Sequence, residues 1–207
     1  MDGTCFLIYQ DLDTSFNSWN KISTFELESA SIKSATVELI DKKIDESISA
    51  VAIDLTDSSI TALALIGIFL NLDAATLLGN SKAGLDKTWI KECEEIRITI
   101  KNNRNLKNNK EKLLEGLLIP KGGELLKIIQ QATLRKTPVF LIGDLAIALG
   151  YLVARANSQA KDLLHIASRN DLPGLVKAVE SVQIPSINIP AGTNRARGLA
   201  IALLSHV

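Results

Sequence analysis

Along this chain the apolar residues change period several times. Val37, Ile40, Ile44, Ile48 and Val51 are spaced three, four, four and three residues apart, the signature of one helix face, and Ser49 and Asp54 suggest that the helix stops before "AVAIDL". That run is short, dense and β-branched, as a strand buried on both faces is. In "TDSSITALALIGIFLNL", Thr56, Asp57 or Ser58 can cap a helix that is apolar nearly all round. Strand followed by helix then recurs: "PVFLI" before "GDLAIALGYLVARAN", "DLLHIAS" before a turn at Asn170–Gly174 and "GLVKAVESV", and "PSINI" before a closing apolar helix. Two other stretches read as purely helical. Trp89, Ile90, Cys93, Ile96 and Ile100 share a face, and "EKLLEGLLI" with "GELLKIIQQATL" forms a pair broken by Pro120, Gly122 and Gly123. Alternation of buried strands and helices predicts an α/β fold, a Rossmann-like parallel sheet with flanking helices. The alternative is an all-α protein, in which "AVAIDL", "PVFLI" and "LLHIA" each begin a long helix. The expected organisation is an N-terminal helical segment over residues 1–49 and an α/β domain over 50–207, forming one compact unit.

Composition narrows the class. With 46% apolar and 22% charged residues in 207, the chain can bury a sizeable core and is too rich in Leu, Ile and Ala to be disordered. The longest uninterrupted apolar run, Ala62 to Leu70, falls well short of the roughly 20 residues that span a bilayer. Pro138 to Ala154 is longer but contains Asp144, so no membrane association is expected. Cys5 and Cys93 match no metal spacing and suit a reduced, cytoplasmic protein. His165 and His206 are the only histidines, so neither a metal nor another cofactor is expected.

Charge is balanced overall but not along the chain. Residues 1–100 carry 8 basic and 16 acidic side chains, residues 101–207 carry 15 and 7, so the second half prefers anionic partners. In "KNNRNLKNNK", Lys101, Arg104, Lys107 and Lys110 recur every three residues, either as a phosphate-binding strip or as a solvated loop between helices. The stretch "IPAGTNRARG" places Gly192, Thr193, Asn194, Arg195 and Arg197 between a strand and a helix. Such a turn is either an ordinary connection or an anion site, because the first N–H groups of a helix lack internal partners and its dipole favours negative charge there. An Asp-x-Asp in "IYQDLDTSF" and the Gly-Asp of "VFLIGD" fit aspartyl-phosphate chemistry, but the acidic residue expected after Asp144 is missing. No Gly-x-Ser-x-Gly, His-Glu-x-x-His or P-loop occurs.

The order of segments carries a resemblance. "LLGNSKAGLDKTWIK" looks like a Gly-rich turn ending in Gly-Leu-Asp before a helix, and "KGGELLKIIQQATLRKTPVFLIGDLAIALGYLVARA" like a Gly-Gly helix followed by a Pro-Val strand and a small-residue helix. "HIASRNDLPGLVKAVESVQIPSINI" keeps Ala167, Ser168, Pro173, Gly174 and Pro185 in register with these. From about Ala50 onward the chain resembles the C-terminal part of the nicotinate-nucleotide:dimethylbenzimidazole phosphoribosyltransferases, which make the lower-ligand nucleotide of cobalamin. Those enzymes are longer, and residues 1–49 do not resemble their N-terminal portion.

The resemblance implies a site and also marks departures from it. In the family, a glutamate in a Gly-Glu-Gly-Thr-Gly turn is the base that activates the benzimidazole nitrogen. Gapless alignment of the closing helices puts Gly192 on the first glycine and Thr193 on that glutamate, and a threonine hydroxyl is no base at neutral pH. The family's first glycine-rich turn is here "DLTDSSI", without glycine. Phosphoribosyl transfer needs a phosphate anchor, stabilisation of an electron-poor ribose and an acceptor for the incoming nitrogen. The resemblance offers the N–H groups near Ser58 and Ser59, the turn Gly79 to Gly84, and Lys91 as anchors. Asp54, Asp57 and Asp144 are the remaining carboxylates near strand ends, each also suited to capping a helix. Gly192, Asn194, Arg195 and Arg197 would face an anion, two guanidinium groups standing beside the place of a carboxylate. The implied protein binds a mononucleotide such as nicotinate mononucleotide, as a cytoplasmic homodimer with reduced or altered transferase activity. The alternative is a non-enzymatic binding or regulatory protein, or a nucleic-acid-associated one using the basic half.

Overall fold

A computed structural model describes residues 5–10, 22–26, 36–55, 59–79 and 87–190. Ser58, Gly84, Gly192, Thr193, Asn194, Arg195, Arg197 and the expected closing helix lie outside the described residues. In chain order the elements are β1 (Cys5–Gln10), β2 (Ile22–Glu26), α1 (Thr36–Asp45), β3 (Ala50–Leu55), α2 (Ser59–Leu70), α3 (Ala74–Leu78), α4 (Lys87–Asn103), α5 (Lys110–Gly116), α6 (Gly122–Leu134), β4 (Val139–Ile142), α7 (Asp144–Ala156), β5 (Leu164–Arg169), α8 (Pro173–Val182) and β6 (Ser186–Pro190).

The strands form one sheet in the order β2-β1-β3-β4-β5-β6, every neighbouring pair parallel. The four strands read from the sequence are all in it, and the all-α alternative is overturned. "AVAIDL" is β3 residue for residue and is buried along its whole length, as its uninterrupted apolar run requires in a sheet covered on both faces.

Residues 1–49, expected to be helical, supply β1 and β2 as well as α1. Cys5, Phe6, Leu7 and Ile8 are buried because β1 is an interior strand, paired with β2 on one side and β3 on the other. The helix face beginning at Val37 is shorter than its spacing suggests. Helix α1 stops at Asp45 and Ser47 takes a left-handed φ of 69°, so Ile48 falls in the turn and Val51 belongs to β3. Two helices are buried almost throughout: α2 from Ala62 to Phe69 and α7 from Asp144 to Ala154. Helix α7 lies against β3, β4 and β5, and Gly150 permits that approach, since a side chain there would collide with Leu141 of β4.

On α4, Cys93 and Ile96 are in the core and Trp89 and Ile100 pack against it, while Ile90 turns outward at 43% exposure. Cys93 is therefore a packing residue. Burial pushes the Cys5 thiol up to about 12, which leaves it without nucleophilic character at neutral pH. Among the described residues no helix is long and apolar enough to cross a membrane, and no cluster of His, Cys, Asp and Glu is arranged to hold a metal.

Candidate functional site at the strand ends

Because all six strands are parallel, their carboxyl ends lie along one edge of the sheet. The chain leaves β1 for β2 on one side and returns to β3 on the other, which places a topological switch between β1 and β3. Ligands of open parallel sheets bind outside the carboxyl ends near such a switch.

Three polar side chains from three different connections meet at this edge. Ser59 opens α2 after β3, Asp144 opens α7 after β4, and Asn170 follows β5. Ser59 Oγ donates to Asp144 Oδ2 at 2.5 Å, Asn170 Nδ2 donates to the same oxygen at 2.7 Å, and the Asn170 backbone N–H donates to Asp144 Oδ1 at 3.1 Å. Asp144 is only 5% exposed. The three donors and the positive end of α7 replace the water that a buried carboxylate loses. Capping was one role open to Asp144 in the sequence, but Gly143 occupies the cap position, with φ 88°, and the carboxylate bridges the connections of β3 and β5.

A second junction continues from the same loop. Gly79, at φ 81°, ends α3, and its Cα lies so close to Pro173 at the start of α8 that an added Cβ would come within 2.7 Å of the proline ring. Trp89 Nε1 donates to the Gly79 carbonyl at 2.8 Å. Residues 170–173 thus touch the Ser59–Asp144 pair at one end and the Gly79 turn at the other. Both conformational reasons for a glycine, a positive φ and a close approach, apply at position 79.

The other sequence candidates are distributed differently. Asp54 lies within β3, in register with Tyr9 of β1 and Ile142 of β4, and is 0% exposed. Lys91 is exposed on α4. Its neighbour Glu92 lines a cleft of about 660 Å³ that runs from Ser59 past Glu95, Thr99 and Asn102 to Leu118. In the basic stretch, Lys101 still belongs to α4, Arg104 begins a 3₁₀ turn, and Asn109 caps α5 by accepting from the Lys112 N–H. Lys107 donates to the Phe69 carbonyl at the end of α2 at 3.4 Å and lies 5.6 Å from the Phe69 ring centroid, a structural contact at a helix C-terminus. His165 packs on Phe140, and burial lowers its imidazole below the ordinary value.

Asn170 was legible in the sequence only as part of a turn. No local pattern pairs it with Ser59 and Asp144, which are 111 and 26 residues away. The one available signal was positional, since polar residues directly after predicted parallel strands share an edge.

No family model and no curated protein matches the chain. Solved structures do. CobT from Thermus thermophilus superposes with a TM-score of 0.60 at 17% identity over 83% of this chain and 53% of that one, so this chain spans about half its length. A nicotinate-nucleotide–dimethylbenzimidazole phosphoribosyltransferase structure from Thermus thermophilus gives a TM-score of 0.65 at 11% identity over 99% of this chain and 81% of that one. The second match includes nearly all of residues 1–49, where the sequence shows no resemblance. The chain thus has the α/β parallel-sheet fold of the nicotinate-nucleotide–dimethylbenzimidazole phosphoribosyltransferases.

Proposed function

We propose that this chain is a phosphoribosyltransferase-like protein that binds a mononucleotide such as nicotinate mononucleotide at the carboxyl ends of β3 to β6, with reduced or altered transfer activity. The observation that carries the reading is the convergence of Ser59, Asp144 and Asn170 from three connections at the ligand edge of a sheet with this fold. Arg195 and Arg197 suit the phosphate by side-chain chemistry, since each guanidinium can donate two parallel charge-assisted hydrogen bonds to its oxygens. Thr193 stands at the family's base position and supplies no base. The resemblance extends to a cytoplasmic homodimer, which sedimentation of the purified protein checks.

The deciding experiment is a thermal-shift screen of nicotinate mononucleotide, nicotinate and benzimidazoles, followed by a transfer assay. Nicotinate mononucleotide should stabilise the protein at moderate salt, transfer to dimethylbenzimidazole should be slight, and Thr193→Glu should restore part of it. Replacing both Arg195 and Arg197 with Gln should weaken mononucleotide binding about tenfold or more. No stabilisation by any mononucleotide, with steeply salt-dependent binding to mixed oligonucleotides, would move the reading to a nucleic-acid-associated protein.

A further inference from the structure

The hydrogen bonds around Asp144 fix the polarity of Ser59. The Asn170 backbone N–H donates to Asp144 Oδ1, and the Asn170 amide donates to Oδ2. Both carboxylate oxygens are therefore acceptors, and in the 2.5 Å contact the Ser59 hydroxyl donates to Oδ2. A hydroxyl has one proton. With it committed to Asp144, the Oγ of Ser59 has only lone pairs left for anything in front of it, and the Asn170 amide, 3.5 Å away, is too distant to occupy them well.

What lies in front of Ser59 has the same character. The cleft of about 660 Å³ that begins at Ser59 is lined by Glu92, Glu95, Thr99, Asn102 and Asn103 among others, and among the described residues no lysine or arginine lines it. An anion there would face two glutamates and, behind Ser59, the Asp144 carboxylate. A neutral group carrying O–H or N–H would instead meet the acceptor oxygens of Ser59, Glu92 and Glu95.

We propose that Ser59 recognises a hydrogen-bond donor of the ligand, a sugar hydroxyl or an azole N–H, with Asp144 as the positioning residue acting through it, and that phosphate is held elsewhere. This rests on the mononucleotide reading and reverses the expectation that Ser59 anchors phosphate. It is a specificity device: a ligand lacking the donor leaves a partly buried acceptor unpaired, which costs more than a missing contact.

Calorimetric titrations of the full chain test it, with ribose 5-phosphate against 2-deoxyribose 5-phosphate, benzimidazole against 1-methylbenzimidazole, and inorganic phosphate alone. In one of the two pairs, loss of the donor should weaken binding about tenfold, and the affected pair identifies the group as sugar hydroxyl or ring N–H. Ser59→Ala should erase that discrimination and leave phosphate binding unchanged. Asp144→Asn should weaken the donor discrimination and leave phosphate binding unchanged, because a neutral amide holds the serine proton less firmly; mere destabilisation would weaken both together. The proposal is overturned if neither pair binds, if both pairs bind without discrimination, or if Ser59→Ala abolishes phosphate binding. Should nicotinate mononucleotide fail to bind while the donor discrimination holds, the mononucleotide reading falls and this one stands. Mononucleotide binding that is indifferent to Ser59 is the converse.

Discussion

Two carboxylate clusters join distant parts of this molecule, and they are built in opposite ways. On the outer surface, Arg135 donates to Asp41 at 2.7 Å and to Asp45 at 2.6 Å, and Gln131 Nε2 donates to Asp41 at 2.8 Å, fastening α1 to α6. At the strand ends, Asp144 is held by Ser59 and Asn170, neither of them charged. The surface cluster neutralises its charge in water, with Arg135 37% and Asp45 68% exposed. The Asp45 hydrogen bond, then that of Asp41, raises the guanidinium further above its ordinary range. Among the described residues the side-chain and backbone donors to the buried Asp144 carboxyl are all neutral. The surface cluster joins two helices through opposite charges, whereas the strand-end cluster joins three loop connections through hydrogen bonds to one carboxyl.

The contrast breaks most visibly at Asp144. Asp144→Ala removes the acceptor of three donors at once, and it should destabilise the protein by about 2–4 kcal/mol in urea unfolding with an unchanged m-value. If the loss is under about 0.5 kcal/mol, the cluster is as dispensable as an exposed ion pair. Arg135→Gln should lower the melting temperature less than Asp144→Ala does, and the difference from the parent should shrink further in high salt, where the Asp144 effect should not.

The smallest effect concerns His165. Burial depresses its imidazole below the ordinary value of 6.5, so the folded state takes up its proton at lower pH than the unfolded chain. The associated stability is complete above about 6.5 and is lost as pH falls from there through the folded value. Replacing His165 with Gln should flatten that part of the stability–pH curve, while Arg135→Gln leaves it in place.

How much of this was legible beforehand depended on the range of the interaction. Strands β3 to β6 were readable because a two-faced buried strand must be continuously apolar, as "AVAIDL" and "VFLI" are. Strand β1 has the same density in "CFLI" yet was assigned to a helical segment, because nothing next to it in sequence shows that it pairs with β3, whose start is some 45 residues later. The candidate site was half legible. Asp144 stood out as a carboxylate near a strand end with helix capping as its alternative, whereas Ser59 entered only through the backbone N–H groups that the resemblance offered as an anchor.

From Ala50 onward the sequence by itself determined where strands β3 to β6 lie and that strand and helix alternate as in a parallel sheet, because these follow from local period and from the short reach of the connections. Only the tertiary structure decided the strand order, the placement of β1 inside the sheet, and the pairing of Asp144 with Ser59 and Asn170. Those depend on contacts between residues 17 to 111 positions apart, whose geometry is set by how buried helices such as α7 settle on the sheet, and no local pattern encodes that.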